Sequence, residues 1–271
     1  MSIYAWRKGD LNEAEDMAIK ALKMREPLFG KESSETLNSI NLLGLVLDGQ
    51  GKYDEAFNMY RQAVAGFKKL LGTDHHSSLV SLNNLGLVLR NRGEYEEAET
   101  MLRKALAGSG KVLGLDHPTT PMCIGNLVTV LTLRGKHMEG EILYREALSG
   151  FANAFGDDHP STLTSVHMLA MVVKLQGRFE EAEMLYRRAL AGYEKMTGID
   201  HLDMLMTTSE LGSVLGYQGK CQESELMNRE VLASYEQRLR ANHPLKLVAN
   251  NNVASTLLWQ GKYREAEGLL Q

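Results

Sequence analysis

Five histidines, His75, His117, His159, His201 and His243, each follow the last by 42 residues. A row of imidazoles could ligate a metal ion. The spacing argues against it, because each histidine belongs to a separate turn between helices. Stacked helices lie roughly 8–10 Å apart, whereas zinc–nitrogen bonds are about 2 Å. Neighbouring histidines therefore cannot share one ion, and the expected role is starting and capping helices. A second candidate is Gly108-Ser109-Gly110-Lys111, which resembles the end of a phosphate-binding loop. Val112 follows the lysine where Ser or Thr is needed, and no strand precedes it, so this stretch is expected to be helix. Paired acids such as Glu96-Glu97 and Glu180-Glu181 could be a general acid and base. They are better explained as first-turn acids facing a helix dipole. No His-Glu-x-x-His, Gly-x-Ser-x-Gly or Gly-x-Gly-x-x-Gly occurs. The sequence reads as a non-enzyme, with no catalytic residue, metal or cofactor implied.

The elements that carry these residues repeat with the same period. Gly9, Gly51, Gly93, Gly135, Gly177, Gly219 and Gly261 are spaced by 42 residues without a slip. Each unit reads as two helices. The first starts at the histidine register, where Pro118, Pro160 and Pro244 suit a first helical position. Its apolar spacing is helical, as in Leu79, Leu82, Leu85, Gly86 and Leu89. The glycine then ends it in a left-handed conformation, and the second helix begins at once, as in Tyr53-Asp54-Glu55-Ala56. Small residues share two registers, Ala56, Ala98, Ala182, Ala266 and Ala63, Ala105, Ala147, Ala189. Tyr60, Leu102, Tyr144 and Tyr186 stand between them, an alternation suited to ridges packing into grooves. Stacked neighbours then build one continuous core.

Leu43-Gly44-x-x-Leu47, the turn glycine and Ala56-x-x-x-Tyr60 resemble the tetratricopeptide pattern. Leu85-Gly86-x-x-Leu89 with Ala98-x-x-x-Leu102 repeats it. The family's ordinary unit has about 34 residues, and the longer period adds roughly one turn to each helix. With Gly-x-Tyr-x-Glu-Ala-Glu, Arg-x-Ala-Leu and Gly-x-Asp-His-Pro, the unit is similar to the kinesin-light-chain type. Similar arrays occur behind the nucleotide-binding domain of fungal NOD-like receptors. The resemblance implies an all-α solenoid of helix-turn-helix repeats winding as a right-handed superhelix. It spans residues 1–271 as a single array of five complete helix pairs flanked by two partial ones. The abrupt ends suggest a piece of a longer array, whose uncapped ends could self-associate. Two units depart from the pattern: Gly140 replaces the packing alanine, and Cys221, Ser224 and Asn228 occupy packing positions. Looser packing is expected there.

In the family, first helices line a concave surface. Nine and ten residues before the turn glycine stand Asn83-Asn84 and Asn251-Asn252, with Asn41-Leu42, Gly125-Asn126, His167-Met168 and Ser209-Glu210 elsewhere. These asparagines resemble the family's peptide-clamping residues. A carboxamide both donates and accepts, so it can hold a peptide backbone. Arg90 and Lys174 lie further along the same face and could pair with ligand acids. The resemblance thus implies a peptide-binding face of Asn41, Asn83, Asn84, Arg90, Asn126, His167, Lys174, Asn251 and Asn252. Leu42, Gly125, Met168 and Glu210 interrupt the amide row, and Leu45, Leu87 and Met171 add apolar surface. A mixed groove of this kind suits a peptide or helix better than a small anion.

Composition narrows the partners. The net charge is −4 with no basic excess, which argues against nucleic acid. No basic cluster suggests an anionic membrane, and no run approaches the roughly 18 apolar residues of a span. The two cysteines, Cys123 and Cys221, are too few for a disulfide framework and read as buried thiols in a reducing compartment. The expectation is a cytoplasmic scaffold binding a peptide or helical segment of a partner. The alternative is the sensor or autoinhibitory repeat region of a larger NOD-like receptor or other signalling NTPase.

Overall fold

The computed structural model describes residues 11–115, 117–197, 202–239 and 243–270. Gly9 and His201 lie outside the described residues, with Asp116 and the residues just before His201 and His243. The chain divides into two compact units, Met1–Lys136 and His137–Gln271. Among the described residues the regular structure is entirely helical. The first unit holds α1 (Leu11–Phe29), α2 (Ser34–Gly49), α3 (Tyr53–Leu71), α4 (His76–Asn91), α5 (Tyr95–Val112) and α6 (Thr119–Leu133). The second holds α7 (His137–Phe155), α8 (Pro160–Leu175), α9 (Phe179–Thr197), α10 (Leu202–Tyr217), α11 (Cys221–Arg238), α12 (Pro244–Trp259) and α13 (Tyr263–Leu270). Within each unit every helix packs on the next, and successive first helices also touch: α2 on α4, α4 on α6, α8 on α10, α10 on α12.

The local chemistry that sets these boundaries repeats. At the end of α2, Gly51 takes φ +77 while Lys52 N–H donates to Leu47 C=O and Gly51 N–H to Asp48 C=O. That is the Schellman arrangement, which satisfies carbonyls a helix end leaves open. Glu94, Lys220 and Lys262 donate in the same way to Leu89, Leu215 and Leu257. At the other end of the first helices, Nδ1 of His75, His117, His159 and His243 accepts the backbone N–H two residues on, each at 3.2 Å. These four histidines cap helices, and among the described residues no cluster of three or more His, Cys, Asp or Glu could hold a metal ion. A hydroxyl register adds a second tie: Ser78, Thr120 and Thr162 donate to the carbonyls of Gly72, Gly114 and Gly156. Pro160 and Pro244 are the first residues of α8 and α12, while Pro118 stands one residue before α6. Gly108-Ser109-Gly110-Lys111 lies inside α5.

Packing follows the small-and-large alternation. Ala56, Ala98, Ala182 and Ala266 are buried, as are Tyr60, Leu102, Tyr144 and Tyr186. A Cβ on Gly44 would stand 2.9 Å from the Tyr60 ring, and one on Gly86 2.6 Å from Leu102 Cγ. The expected looseness around α11 is not what the structure shows. Ser224 and Asn228 are fully buried, and with Thr256 they form a hydrogen-bonded cluster anchored on Gly212 C=O. Polar pairing replaces the tyrosine packing of the other repeats there. Cys123 is buried, and burial pushes its thiol up to about 11. Cys221, by contrast, begins α11 and is only half-buried.

Neighbouring repeats are also pinned by charge. Near the start of α1, α5, α7, α9 and α11 a largely buried carboxylate reaches the next repeat beside its turn glycine. Glu15 binds Gln50 and Lys52; Glu99 binds Arg134 and Lys136; Glu141 binds Gln176 and Arg178; Glu225 binds Gln260 and Lys262. Glu183 binds Lys220. Arg103, Arg145, Arg187 and Arg229 reach back one helical turn to the same carboxylates. The Arg229 and Lys262 hydrogen bonds hold Glu225 at about 2, and that of Lys52 lowers Glu15. For Glu99, Glu141 and Glu183 burial alone would raise the carboxyl, but the bonded cations outweigh it and the shift is downward.

Gly177, at φ +76, should lose about 1 kcal/mol or more on Gly177→Ala, since a side chain there is strained. Gly110 is helical with open space at its Cβ position, so Gly110→Ala should gain up to about 1 kcal/mol. Urea unfolding of the two variants reads the opposite signs. For the glutamates, a depressed folded pKa means stability that is complete above the ordinary value of 4.5 and lost as pH falls towards 2. The thermal midpoint should therefore drop across that window. Glu99→Gln with Glu225→Gln should lower the neutral-pH midpoint and flatten the acid slope; an unchanged slope would remove the carboxylates from this role.

Candidate functional site

The first helices present the nine expected residues, and the structure divides them by what they already touch. In the first unit Asn41 Nδ2 donates to Ser81 Oγ at 2.6 Å, across from α2 to α4. Asn126 Nδ2 donates to Asn83 Oδ1 at 3.0 Å, across from α6 to α4. Asn83 is fully buried, so its amide lies between helices rather than on the surface. Asn84, next to it, is half-buried. The Arg90 guanidinium is held by Asn91 Oδ1, and Asn91 Nδ2 donates to Asp48.

The second unit has its own crosslinks. His167 is buried against Tyr186, and its Nδ1 is 2.9 Å from Thr207 Oγ1. The Thr207 hydroxyl donates to Asp203 C=O, so the imidazole supplies the proton to Thr207. Lys174 Nζ lies 2.5 Å from Glu210. Asn252 donates to Ser209 Oγ at 2.8 Å, whereas Asn251 is exposed. The amide row thus ties adjacent first helices together, and the exposed Asn251 and half-buried Asn84 face outward most freely.

Apolar groups share this face. Leu45 is exposed, Leu87, Met168 and Met171 are half-buried, and Met122 and Met206 are more than a third exposed. Methionine is flexible and polarisable, and it adapts to varied apolar surfaces. An aromatic run lies outside the nine expected residues. Phe179, Tyr217 and Trp259 form a run of ring contacts, 5.1 Å and 5.3 Å between centroids. Trp259 lies on Gly216, where a Cβ would stand 1.9 Å from the indole. Tyr217 and Trp259 each stand two residues before a turn glycine, and that shared register was the available signal.

The tetratricopeptide repeat profile matches residues 1–69 and 119–195, and a second tetratricopeptide profile matches 78–119 and 204–245. The chain belongs to the tetratricopeptide repeat family. This tetratricopeptide protein resembles several solved structures. The nearly identical repeats of a Podosopora anserina protein described as a kinesin light chain are 27% identical, over 72% of this chain and 93% of that one, with a TM-score of 0.59. A signal-transduction ATPase with a tetratricopeptide repeat sensor, from Pyrococcus horikoshii, is 15% identical with a TM-score of 0.71. There 99% of this chain is covered but only 39% of that one. The protein NprR in complex with its cognate peptide NprX is 16% identical, with a TM-score of 0.59 over 99% of this chain and 74% of that one. No curated protein matches significantly.

Burial lowers the His167 pKa most; Lys174 adds to this, and Glu210 and Asp203 oppose it. A lowered imidazole favours the folded state above its ordinary 6.5, and that stability is lost as pH falls through the folded value. The unfolding midpoint should accordingly fall between pH 7.5 and about 5.5, and His167→Gln should lessen that fall. The slope that remains belongs to His76, which burial, His117 and His75 also lower. Equal slopes in both proteins would mean that His167 takes up its proton alike in the folded and unfolded states, and would remove it from this role.

Proposed function

We propose that this tetratricopeptide chain is a protein-interaction scaffold. A peptide or helical segment of a partner lies along a first-helix face, its apolar side chains on Leu45 and Leu87 in the first unit or on Met168, Met171 and Met206 in the second. The carrying observation is that these side chains remain exposed or half-exposed on helices whose neighbouring amides are already tied to one another. Such a face supplies adaptable apolar contact on a rigid support. Asn84 in the first unit, or Asn251 in the second, holds the ligand backbone. Asn41, Asn83, Asn126, His167 and Asn252 keep the helices in register beneath it, and Arg90 and Lys174 set the charge of its rim. NprR, solved with a peptide, gives the reading a precedent in fold.

A second reading takes the chain as the sensor repeat region of a larger signalling NTPase. Its support is the likeness over 99% of this chain to the Pyrococcus ATPase with a repeat sensor. Both readings treat residues 1–271 as one array, give it no catalytic role, and place it in the cytoplasm without nucleic acid or membrane partners. Among the described residues no helix is long and apolar enough to cross a membrane.

The test is capture of partners by three folded proteins: the native chain, a face variant and a control. The face variant carries Leu45→Glu, Leu87→Glu and Met171→Glu. The control carries Met184→Glu and Leu226→Glu, on exposed positions of second helices. A partner kept by native and control and reduced at least tenfold by the face variant supports the scaffold. Retention by the face variant rejects the face. Capture of an NTP-binding domain from the chain's own full-length gene product selects the second reading.

A further inference from the structure

A cavity of about 540 Å³ lies where α3 and α5 flank the start of α4, and none of its lining residues belongs to the first-helix row. Its apolar wall is Val64, Leu79, Leu82 and Met101, and Lys68, Lys104 and Lys111 stand around it with Asp74. Its volume is in the range of small-molecule sites, which are mostly apolar with a few polar groups.

The corresponding place in the second unit shows why this one is open and charged. There Leu148 stands for Val64, Ala152 for Lys68, Asp157 for Thr73 and Arg188 for Lys104. Arg188 pairs with Asp157 at 2.7 Å and Lys195 with Asp158 at 2.8 Å. In the first unit Thr73 replaces the aspartate, so Lys104 loses the partner its counterpart has. Lys68 adds a further cation where the counterpart is alanine. Among the described residues the ammonium groups of Lys68, Lys104 and Lys111 have no partner. The smaller Val64 leaves room where the second unit has leucine, and Leu82 is only half-buried where Val166 is buried. Three cations against one carboxylate, beside the half-exposed Val64, Leu82 and Met101, match an anion with an apolar body.

We propose that this cleft binds a small amphipathic anion. Its apolar body lies against Val64, Leu82 and Met101, and its carboxylate, sulfonate or phosphate head sits among Lys68, Lys104 and Lys111. Lysines act as point charges that accept any of these heads without a fixed fork geometry. Affinity therefore follows the charge and the apolar bulk of the ligand, and it falls as salt rises.

The probe is 8-anilinonaphthalene-1-sulfonate, titrated by fluorescence and followed through the methyl signals of Met101 and Val64. Its uncharged relative N-phenyl-1-naphthylamine reports apolar binding alone. Thr73→Asp recreates the Gly-Asp-Asp-His stretch that the second unit carries at residues 156–159, so the variant should fold, as its thermal midpoint will report. Saturable binding that moves the Met101 and Val64 methyls should weaken about fivefold in Thr73→Asp and in Lys104→Ala. Octanoate should compete with the dye. The proposal is overturned if the uncharged relative binds equally well, if Thr73→Asp binds unchanged, or if the shifts fall on Met168 and Met171 instead. Tighter competition by a blocked acidic peptide than by octanoate would also reject the small-molecule ligand.

Discussion

A carboxylate set near the start of a second helix, gripping the next repeat on both sides of its turn glycine, is the contact on which the stacking of this chain depends. The apolar faces of a helix pair supply most of the drive to stack, but apolar burial has no direction. It would tolerate one pair sliding or rotating on another. Glu99 removes that freedom because Arg134 and Lys136 flank Gly135, whose left-handed conformation fixes where both cations can stand. The same logic holds at Glu141 with Gln176 and Arg178, and at Glu225 with Gln260 and Lys262. Exposed ion pairs contribute little on their own. These carboxylates are different in kind, since each is largely buried and accepts several bonds at once. Register, more than raw stability, is what such a group supplies.

The one departure from the pattern supports this account. At the glutamate register of α3 the chain has Phe57, and the flanking positions of the next turn are Arg92 and Glu94. Arg92 lies over the Phe57 ring at 4.4 Å and pairs with Glu94. Where the carboxylate is missing, the usual lysine is replaced by an acid, and Glu94 shares the Arg92 guanidinium with Asp54 of the preceding repeat. A cation over an aromatic face keeps the joint closed by a different interaction. The geometry of the joint is thus retained while its chemistry changes.

The fold was legible because its causes are local and periodic. Gly51, Gly93 and Gly177 mark helix ends because no other residue takes that conformation without cost. His75, His117, His159 and His243 mark helix starts because an imidazole nitrogen can accept a backbone N–H. The glutamate joint was not read, although Glu99, Glu141, Glu183 and Glu225 also recur every 42 residues. Their partners lie 35 and 37 residues on, and a surface-like acid on a helix gives no sign that a neighbouring turn will bury it. The cluster of Ser224, Asn228 and Thr256 was misjudged for a related reason. Each is a poor packing residue by itself, and only their meeting in space gives the two hydroxyls and the Asn228 N–H their partners. The candidate face was legible as a register but not as a set of free groups, since Asn83 and Asn84 look alike in sequence and differ in burial.

That last difference bears on how a repeat array can divide stability from recognition. Asn83 and Asn84 are consecutive on α4, so the helix turns them about 100° apart, one towards α6 and one towards the open face. The inward amide accepts from Asn126 through its oxygen and cannot turn towards a ligand without breaking that joint between helices. The outward position carries no such duty, and neither do the apolar positions one turn away at Leu87 and, in the second unit, Met171. Each first helix therefore holds its neighbour with one stripe and faces outward with the next. Residues of the outward stripe can change without unpacking the array, whereas those of the inward stripe must change in pairs. The variety at the outward apolar register, Leu45, Leu87, Thr129, Met171, Ser213 and Ser255, beside the small buried residues Gly44, Gly86, Ala170 and Gly212, is what that division produces.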